Sequence, residues 1–193
     1  YVNGQFTDRI DLSVTGMHNV SNSLSAIAAA VELGIPMTEI KAGLLKFKGT
    51  DRRFEYKGQV HGMTIIDDYA HHPTEIEATL TAAKNYPHNR VWCVFQPHTY
   101  TRTKSLLHEF AQSLTLADRV IVADIYAARE ADPGDIHSRD LQAAIQKLGT
   151  NADYFATFAE IEDFLLKNCE NGDLVITMGA GDIVNVGEEL LQK

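Results

Sequence analysis

Downstream of Tyr86, apolar runs of three to five residues at Val91–Phe95, Val120–Ala123, Tyr154–Ala156 and Leu174–Met178 are separated by stretches with apolar residues every three or four positions. The amphipathic stretches fall at Glu75–Tyr86, Lys104–Leu116, Arg139–Leu148 and Ala159–Lys167. A short continuous apolar run suits a strand covered on both faces, and a three-to-four periodicity suits a helix with one buried side. Repeated alternation of the two predicts an α/β fold: a mostly parallel, Rossmann-like sheet with helices on both faces. Ahead of it, "RFEYKGQVHGMTIID" predicts a hairpin, with β-prone runs on either side of Lys57-Gly58 and a more buried strand at Met63–Asp67. Nearer the start, Val20, Leu24, Ile27, Ala28 and Val31 predict a helix over Asn19–Leu33, stopped by Gly34-Ile35-Pro36. A shorter helix follows Thr38, with Ile40, Leu44 and Phe47 on its inner side. The texture changes at "FKGTDRR", which puts a domain boundary near Thr50, giving units 1–50 and 51–193.

Composition narrows the function classes. The 193 residues are 45% hydrophobic, enough for one good core plus an appendage. A formal net charge of −9 argues against nucleic acid or an anionic membrane as partner, since both are held mainly by clustered Lys and Arg. No apolar stretch approaches the ~20 residues of a membrane span, and the first residues carry no signal-peptide pattern. Cys93 and Cys169 show no zinc spacing, which fits a reducing cytoplasm, the expected location. The opening "YVNGQFTDRIDLSVTG" reads like a cut through a larger protein.

In parallel sheets ligands bind beyond the C-terminal ends of the strands. Two polar clusters fall there. The first is "DDYAHHPTEIE", where Asp67, Asp68, Tyr69, His71 and His72 crowd between a strand and a helix with Pro73 at its first position and Glu75 and Glu77 in its first turn. Three readings stand: helix capping by short polar side chains, a metal site, or a small-ligand site. Against metal, His71 and His72 are neighbours whose side chains diverge, unlike an i, i+4 pair, and no tight metal is expected here. The second cluster is "VFQPHTYTRTKSLL", where Gln96, His98, Tyr100 and Arg102 share the same sheet edge. Arg offers a planar fork of donors that matches a carboxylate, so this loop suits a small carboxylate ligand. Weaker signals are "TMGAGDIVNVG", whose Gly179 and Gly181 read mainly as tight-turn residues without a full dinucleotide fingerprint, and "TGMHNVSN", where Asn19 is an N-cap candidate with Asn22 on the same face.

Taken in order, "GMHNVSN", "GTDRRFE", "DDYAHHPTEI", "FQPHTYTRT" and "GDLVITMGAGDI" resemble the Mur ligases over nearly the whole chain. The branch that ligates recycled murein peptides shares the Asp-His-His loop but not "QPHTYTR", so the resemblance is stronger to the members that join L-alanine to UDP-N-acetylmuramate. It implies an ATP-dependent cytoplasmic ligase of peptidoglycan synthesis, which activates a carboxylate as an acyl phosphate for attack by the amine of alanine. Residues 1–50 would be the end of the central ATPase domain and 51–193 the C-terminal domain. The P-loop and the magnesium ligands would lie in the rest of the parent chain, leaving this stretch inactive alone. The resemblance further implies Asn19 and Asn22 against the ATP base, Arg53 on phosphate, Asp68 on ribose, and Tyr69, His71, His98 and Arg102 around L-alanine. Position 99 is Thr where some members carry a second arginine, which throws carboxylate recognition onto Arg102, or shares it with His98. Competing readings are a metal-dependent hydrolase built on Asp67, Asp68, His71 and His72, and a free-standing small-molecule binding module.

Overall fold

The computed structural model describes residues 5–14 and 16–193, apart from the side chain of residue 18. It divides into two compact units, Tyr1–Thr50 and Asp51–Lys193.

In the first unit, α1 (Met17–Glu32) and α2 (Met37–Lys46) form a helical pair. Helix α1 begins two residues earlier than its hydrophobic pattern suggests. Gly16 is the N-cap without a side-chain bond, and Asn19 lies inside the first turn instead of capping it. The helix ends as Gly34-Ile35-Pro36 predicts. Gly34, at φ 73°, donates to the Val31 carbonyl, and Ile35 to that of Ala30, the paired bonds that close a helix with a left-handed residue. The apolar stripe of α1 is present, yet Val20, Leu24 and Val31 are exposed, and Ile40 of α2 is buried.

The second unit opens with the antiparallel hairpin of β1 (Glu55–Val60) and β2 (Met63–Asp68). Its turn is His61-Gly62, not Lys57-Gly58. Both turn residues have positive φ, 50° and 79°, the mirror-image geometry that matches strand twist in a two-residue hairpin. Lys57-Gly58 instead marks a bulge, where pairing jumps from Tyr56 to Gly58.

After β2 come α3 (Pro73–Ala83), β3 (Val91–Phe95), α4 (Tyr100–Ser105), α5 (Leu107–Leu114), β4 (Arg119–Val122), α6 (Ser138–Lys147), β5 (Asn151–Tyr154), α7 (Phe158–Asn168), β6 (Leu174–Met178) and α8 (Val184–Leu190). The six strands form one sheet in the order β1-β2-β6-β3-β4-β5, parallel throughout except for β1. Strand alternation sorts the core. Ile66, Cys93, Phe95, Val122 and Ile176 face α3, α5 and α6 through Leu80, Phe110, Leu114 and Ile145, whereas Ile65, Trp92, Val94, Ile121 and Val175 face α7 and α8 through Ile161, Leu165, Val186 and Leu190.

Two boundaries differ from the sequence expectation. Strand β5 lies earlier, at Asn151–Tyr154, because an edge strand alternates: Ala152 is buried while Asp153 turns to Arg119, 2.9 Å away on β4. The helix expected from Lys104 begins at Tyr100 and breaks at Leu106 (φ −117°), so Arg102 stands on a helix and not in a loop. Strand β6 lies between β2 and β3, and its own connection crosses to the opposite face. The topological switch point therefore lies at β2, β6 and β3, and the C-terminal ends of those strands are where parallel sheets hold ligands.

Candidate functional site at the ends of the central strands

Beyond β2 the chain is fixed by its two aspartates. Asp67 is fully buried; Thr177 Oγ1 donates to its Oδ1 at 2.7 Å and Arg52 Nε to its Oδ2 at 2.8 Å. Arg52 goes further: Nη1 reaches the Gly181 carbonyl at 3.0 Å and Nη2 that of Gly179 at 2.8 Å, while its guanidinium lies 4.9 Å from the Tyr69 ring centre. The glycine turn after β6 thus points two carbonyls at one cation. A side chain at Gly181 would put its Cβ 2.4 Å from Gln96 Oε1 and 2.7 Å from Tyr126 Cγ, so the close approach requires glycine.

Asp68 is 4% exposed, and both its oxygens accept main-chain bonds, from Ala70 at 2.8 Å and Phe54 at 2.9 Å. Burial pushes its carboxyl above the usual range, partly offset by those N–H groups, by the Thr79 side chain and by the Arg53 charge. Its first effect is to tie the entry of β1 to the loop after β2. Arg53 is the opposite of Arg52: its side chain is 51% exposed and meets Glu75 Oε1 at 3.9 Å. His72 caps α3, its Nδ1 accepting from Thr74 N at 3.3 Å. Asp67, Asp68, His71 and His72 are therefore engaged separately. Among the described residues no three His, Cys, Asp or Glu side chains are grouped to hold a metal ion, so the hydrolase alternative has no geometry behind it.

Tyr69, His71, His98 and Tyr126 form a row of rings with successive centres 5.6, 5.9 and 5.5 Å apart, running from the loop after β2 to the loop after β4. His98 stacks on Tyr126, whose backbone bridges Pro97 and Thr99, and Arg102 Nη1 lies 3.3 Å from His98 Nδ1. Burial, then the charges of Arg102 and His71, lower the His98 pKa and keep its ring neutral at neutral pH. Glu130 accepts from Thr101 N at 2.9 Å, and that bond holds its carboxyl below the usual range. Gln96 Nε2 donates to Asp182 Oδ1 at 2.8 Å, and its buried Oε1 has no partner among the described residues. Of the residues expected around the ligand, Tyr69, His71, His98 and Arg102 come together here, with Arg53 across Glu75. Asn19 and Asn22 sit one helical turn apart on α1, in the other unit. Sequence reasoning missed Arg52 and Tyr126. The adjacent "RR" and a tyrosine just past the next parallel strand were the available signals.

A cation, two imidazoles and a glycine turn meeting over the switch point of a parallel sheet is the layout in which α/β folds hold small molecules. The family described as "Mur ligase, glutamate ligase domain" matches residues 52–181, and the chain belongs to it. Among curated relatives, the UDP-N-acetylmuramate--L-alanine ligase of Lachnoclostridium phytofermentans is 62% identical over 193 residues, all of this chain and 41% of its own length. That of Caldanaerobacter subterraneus subsp. tengcongensis is 51% identical over the whole chain and 42% of its own length. Among solved structures, the UDP-N-acetylmuramate-alanine ligase of Thermotoga maritima matches with a TM-score of 0.82 at 29% identity, over 98% of this chain and 40% of that one. A murein peptide ligase of Psychrobacter arcticus matches with a TM-score of 0.68, also at 29% identity, over 95% of this chain and 38% of that one. The chain thus spans about two fifths of the length of these relatives. No helix among the described residues is long and apolar enough to cross a membrane.

Proposed function

We propose that this chain is part of an ATP-dependent amide ligase that joins L-alanine to UDP-N-acetylmuramate through an acyl phosphate, in cytoplasmic peptidoglycan synthesis. The observation that carries the proposal is the 62% identity, over every residue of the chain, to a relative named for that reaction. The site is consistent with it: Arg102 offers a carboxylate-matching fork beside His98, and Arg53 is a loosely paired, half-exposed cation suited to phosphate. Asp68 would accept from the hydroxyls of the ATP ribose. ATP supplies the phosphoryl group that activates the carboxylate. Among the described residues no three His, Cys, Asp or Glu side chains are grouped to hold magnesium without help from substrate phosphates. Its protein ligands, like the P-loop, would lie in the remainder of a full-length enzyme. The murein-peptide reading is the weaker one, since "QPHTYTR" and the TM-scores of 0.82 and 0.68 both favour the alanine ligases.

The test is Arg102→Ala in the full-length protein, with each substrate varied in turn. Losing a hydrogen bond to a charged group costs about 1.5–3 kcal/mol, so kcat/KM for L-alanine should fall roughly ten- to a few-hundred-fold while ATP and UDP-sugar use change little. Lysine at this position should restore only part of the loss. An equal loss on all three substrates would show that Arg102 holds α4 in place and reads no carboxylate. The 193-residue chain alone should release no phosphate from ATP, because the phosphoryl-transfer parts lie elsewhere.

A further inference from the structure

Hydrogen bonds to partners of fixed role determine which ring nitrogen of each site histidine carries hydrogen. A carbonyl only accepts, so the Tyr69 oxygen, 3.0 Å from His71 Nδ1, obliges that nitrogen to donate. Glu75 Oε2 lies 3.4 Å from the same nitrogen and accepts from the His71 main-chain N–H at 3.0 Å, so one carboxylate grips the residue twice. A neutral His71 then presents a lone pair at Nε2. His98 is the reverse. A guanidinium only donates, so Arg102 Nη1, 3.3 Å from His98 Nδ1, obliges that nitrogen to accept and leaves the hydrogen on Nε2. The two rings stand 5.9 Å apart with opposite tautomers.

We propose that His71 and His98 are a split acceptor–donor pair: His71 Nε2, oriented by Glu75, takes a proton from the amino group of the ligand, and His98 Nε2–H, fixed by Arg102, donates to a ligand oxygen. The identity of the ligand rests on the amino-acid ligase reading; the tautomers rest on this chain alone. In the step itself one N–H bond of the ammonium breaks and one N–H bond forms at His71 Nε2. The electron pair stays on the amine nitrogen, which becomes the nucleophile, and the new imidazolium faces the Glu75 carboxylate. Glu75 is a positioning residue in the sense of the carboxylate that orients a catalytic imidazole. Burial alone would raise its carboxyl, but the His71 N–H and the charges of His71 and Arg53 outweigh it and keep Glu75 anionic. The other groups facing the pair are Tyr69 on the loop of His71, Arg53 beyond Glu75, and Arg102, Tyr126 and Glu130 around His98.

Long-range proton–nitrogen NMR of the 193-residue chain, at a pH where both rings are neutral, should show hydrogen on Nδ1 of His71 and on Nε2 of His98. Glu75→Gln keeps an oxygen for the main-chain N–H but removes the charge facing Nδ1, so the Nδ1 resonance of His71 should move while His98 keeps its hydrogen on Nε2. In the full-length protein the same variant should lower kcat roughly ten- to a hundredfold and move the acidic limb of its pH profile downward, leaving KM for ATP within about twofold. The same tautomer on both rings, an unmoved His71 Nδ1 resonance or an unmoved acidic limb would each overturn the pair. A wild-type full-length protein with no L-alanine-dependent turnover would instead remove the ligase reading, and the spectra would still decide the tautomers.

Discussion

Arg52 and Arg53 are chemically identical neighbours, and the structure gives them opposite fates. Replacing each with alanine separates them. Arg52 pairs with a carboxylate of zero exposure and donates to two carbonyls of the glycine turn; its own side chain is 23% exposed. Removing it leaves Asp67 buried with the Thr177 hydroxyl as its remaining partner, and breaking a buried pair from one side costs about 3–5 kcal/mol. Stability of a domain this size lies at roughly 5–15 kcal/mol, so Arg52→Ala should remove a large fraction of it. In thermal terms the loss corresponds to roughly 6–20 °C in Tm. Arg53, half-exposed with one contact at 3.9 Å, should cost no more than about 0.5 kcal/mol.

The assay is urea unfolding of the 193-residue chain. It can be followed through Trp92, the sole tryptophan, which is fully buried. Arg52→Ala/Asp67→Asn should recover part of the loss, because the buried charge leaves with its partner. Equal effects of the two single variants, or an Arg52→Ala loss under about 1 kcal/mol, would refute the clamp.

The hairpin turn offers a second check. His61→Asn should stabilise by roughly 0.5 kcal/mol, since asparagine prefers the left-handed first position. Gly62→Ala should cost about 1–2 kcal/mol or more, because φ is 79° and the new Cβ would stand 2.1 Å from Asn171 Oδ1. Both are readable as shifts in urea midpoint. At the opposite end of the sheet, Asp173 accepts from Arg90 and from Trp92 Nε1; burial opposes its ionisation, but these bonds and the Glu170 N–H hold its carboxyl below the usual 3.8. A depressed acid contributes stability above its unfolded pKa and loses it as pH falls through the folded one. Asp173→Asn should therefore cost about 1.5–3 kcal/mol at pH 7, and the difference in Tm should shrink below pH 3.8; a difference that stays constant with pH would contradict this.

The α/β architecture was legible because strands covered on both faces read as unbroken apolar runs, and Val91–Phe95 and Leu174–Met178 lie where the pattern put them. Boundaries were less legible where another interaction outweighs the pattern. Asn19 has cap chemistry, yet the helix starts from Gly16; β5 alternates because it is an edge strand; and the His61-Gly62 turn lacks the usual asparagine. At the candidate site, the rule that ligands gather at strand ends picked out the loops of His71 and His98, whose rings the structure brings 5.9 Å apart. It could not find Arg52, whose partners Gly179 and Gly181 lie 127 and 129 residues further along the chain.

Thr99 shows why the register of Arg102 also escaped the sequence. A β-branched residue at φ 68° is strained, and such strain persists only when its surroundings over-determine it. They do so here: Thr99 N donates to the Tyr126 carbonyl at 2.9 Å, its carbonyl accepts from Thr103 Oγ1 at 2.7 Å, and its hydroxyl accepts from Arg102 N at 3.4 Å. Those bonds force the chain to turn at Thr99 and start α4 at Tyr100, which puts Arg102 one helical turn from His98 and within reach of its Nδ1. Because Tyr126 on the next strand's loop both accepts from Thr99 and stacks on His98, one residue across the sheet ties the turn to the ring that meets the guanidinium. The bonds that hold Thr99 in its strained conformation therefore also fix the orientation of Arg102, the cation proposed to recognise a carboxylate.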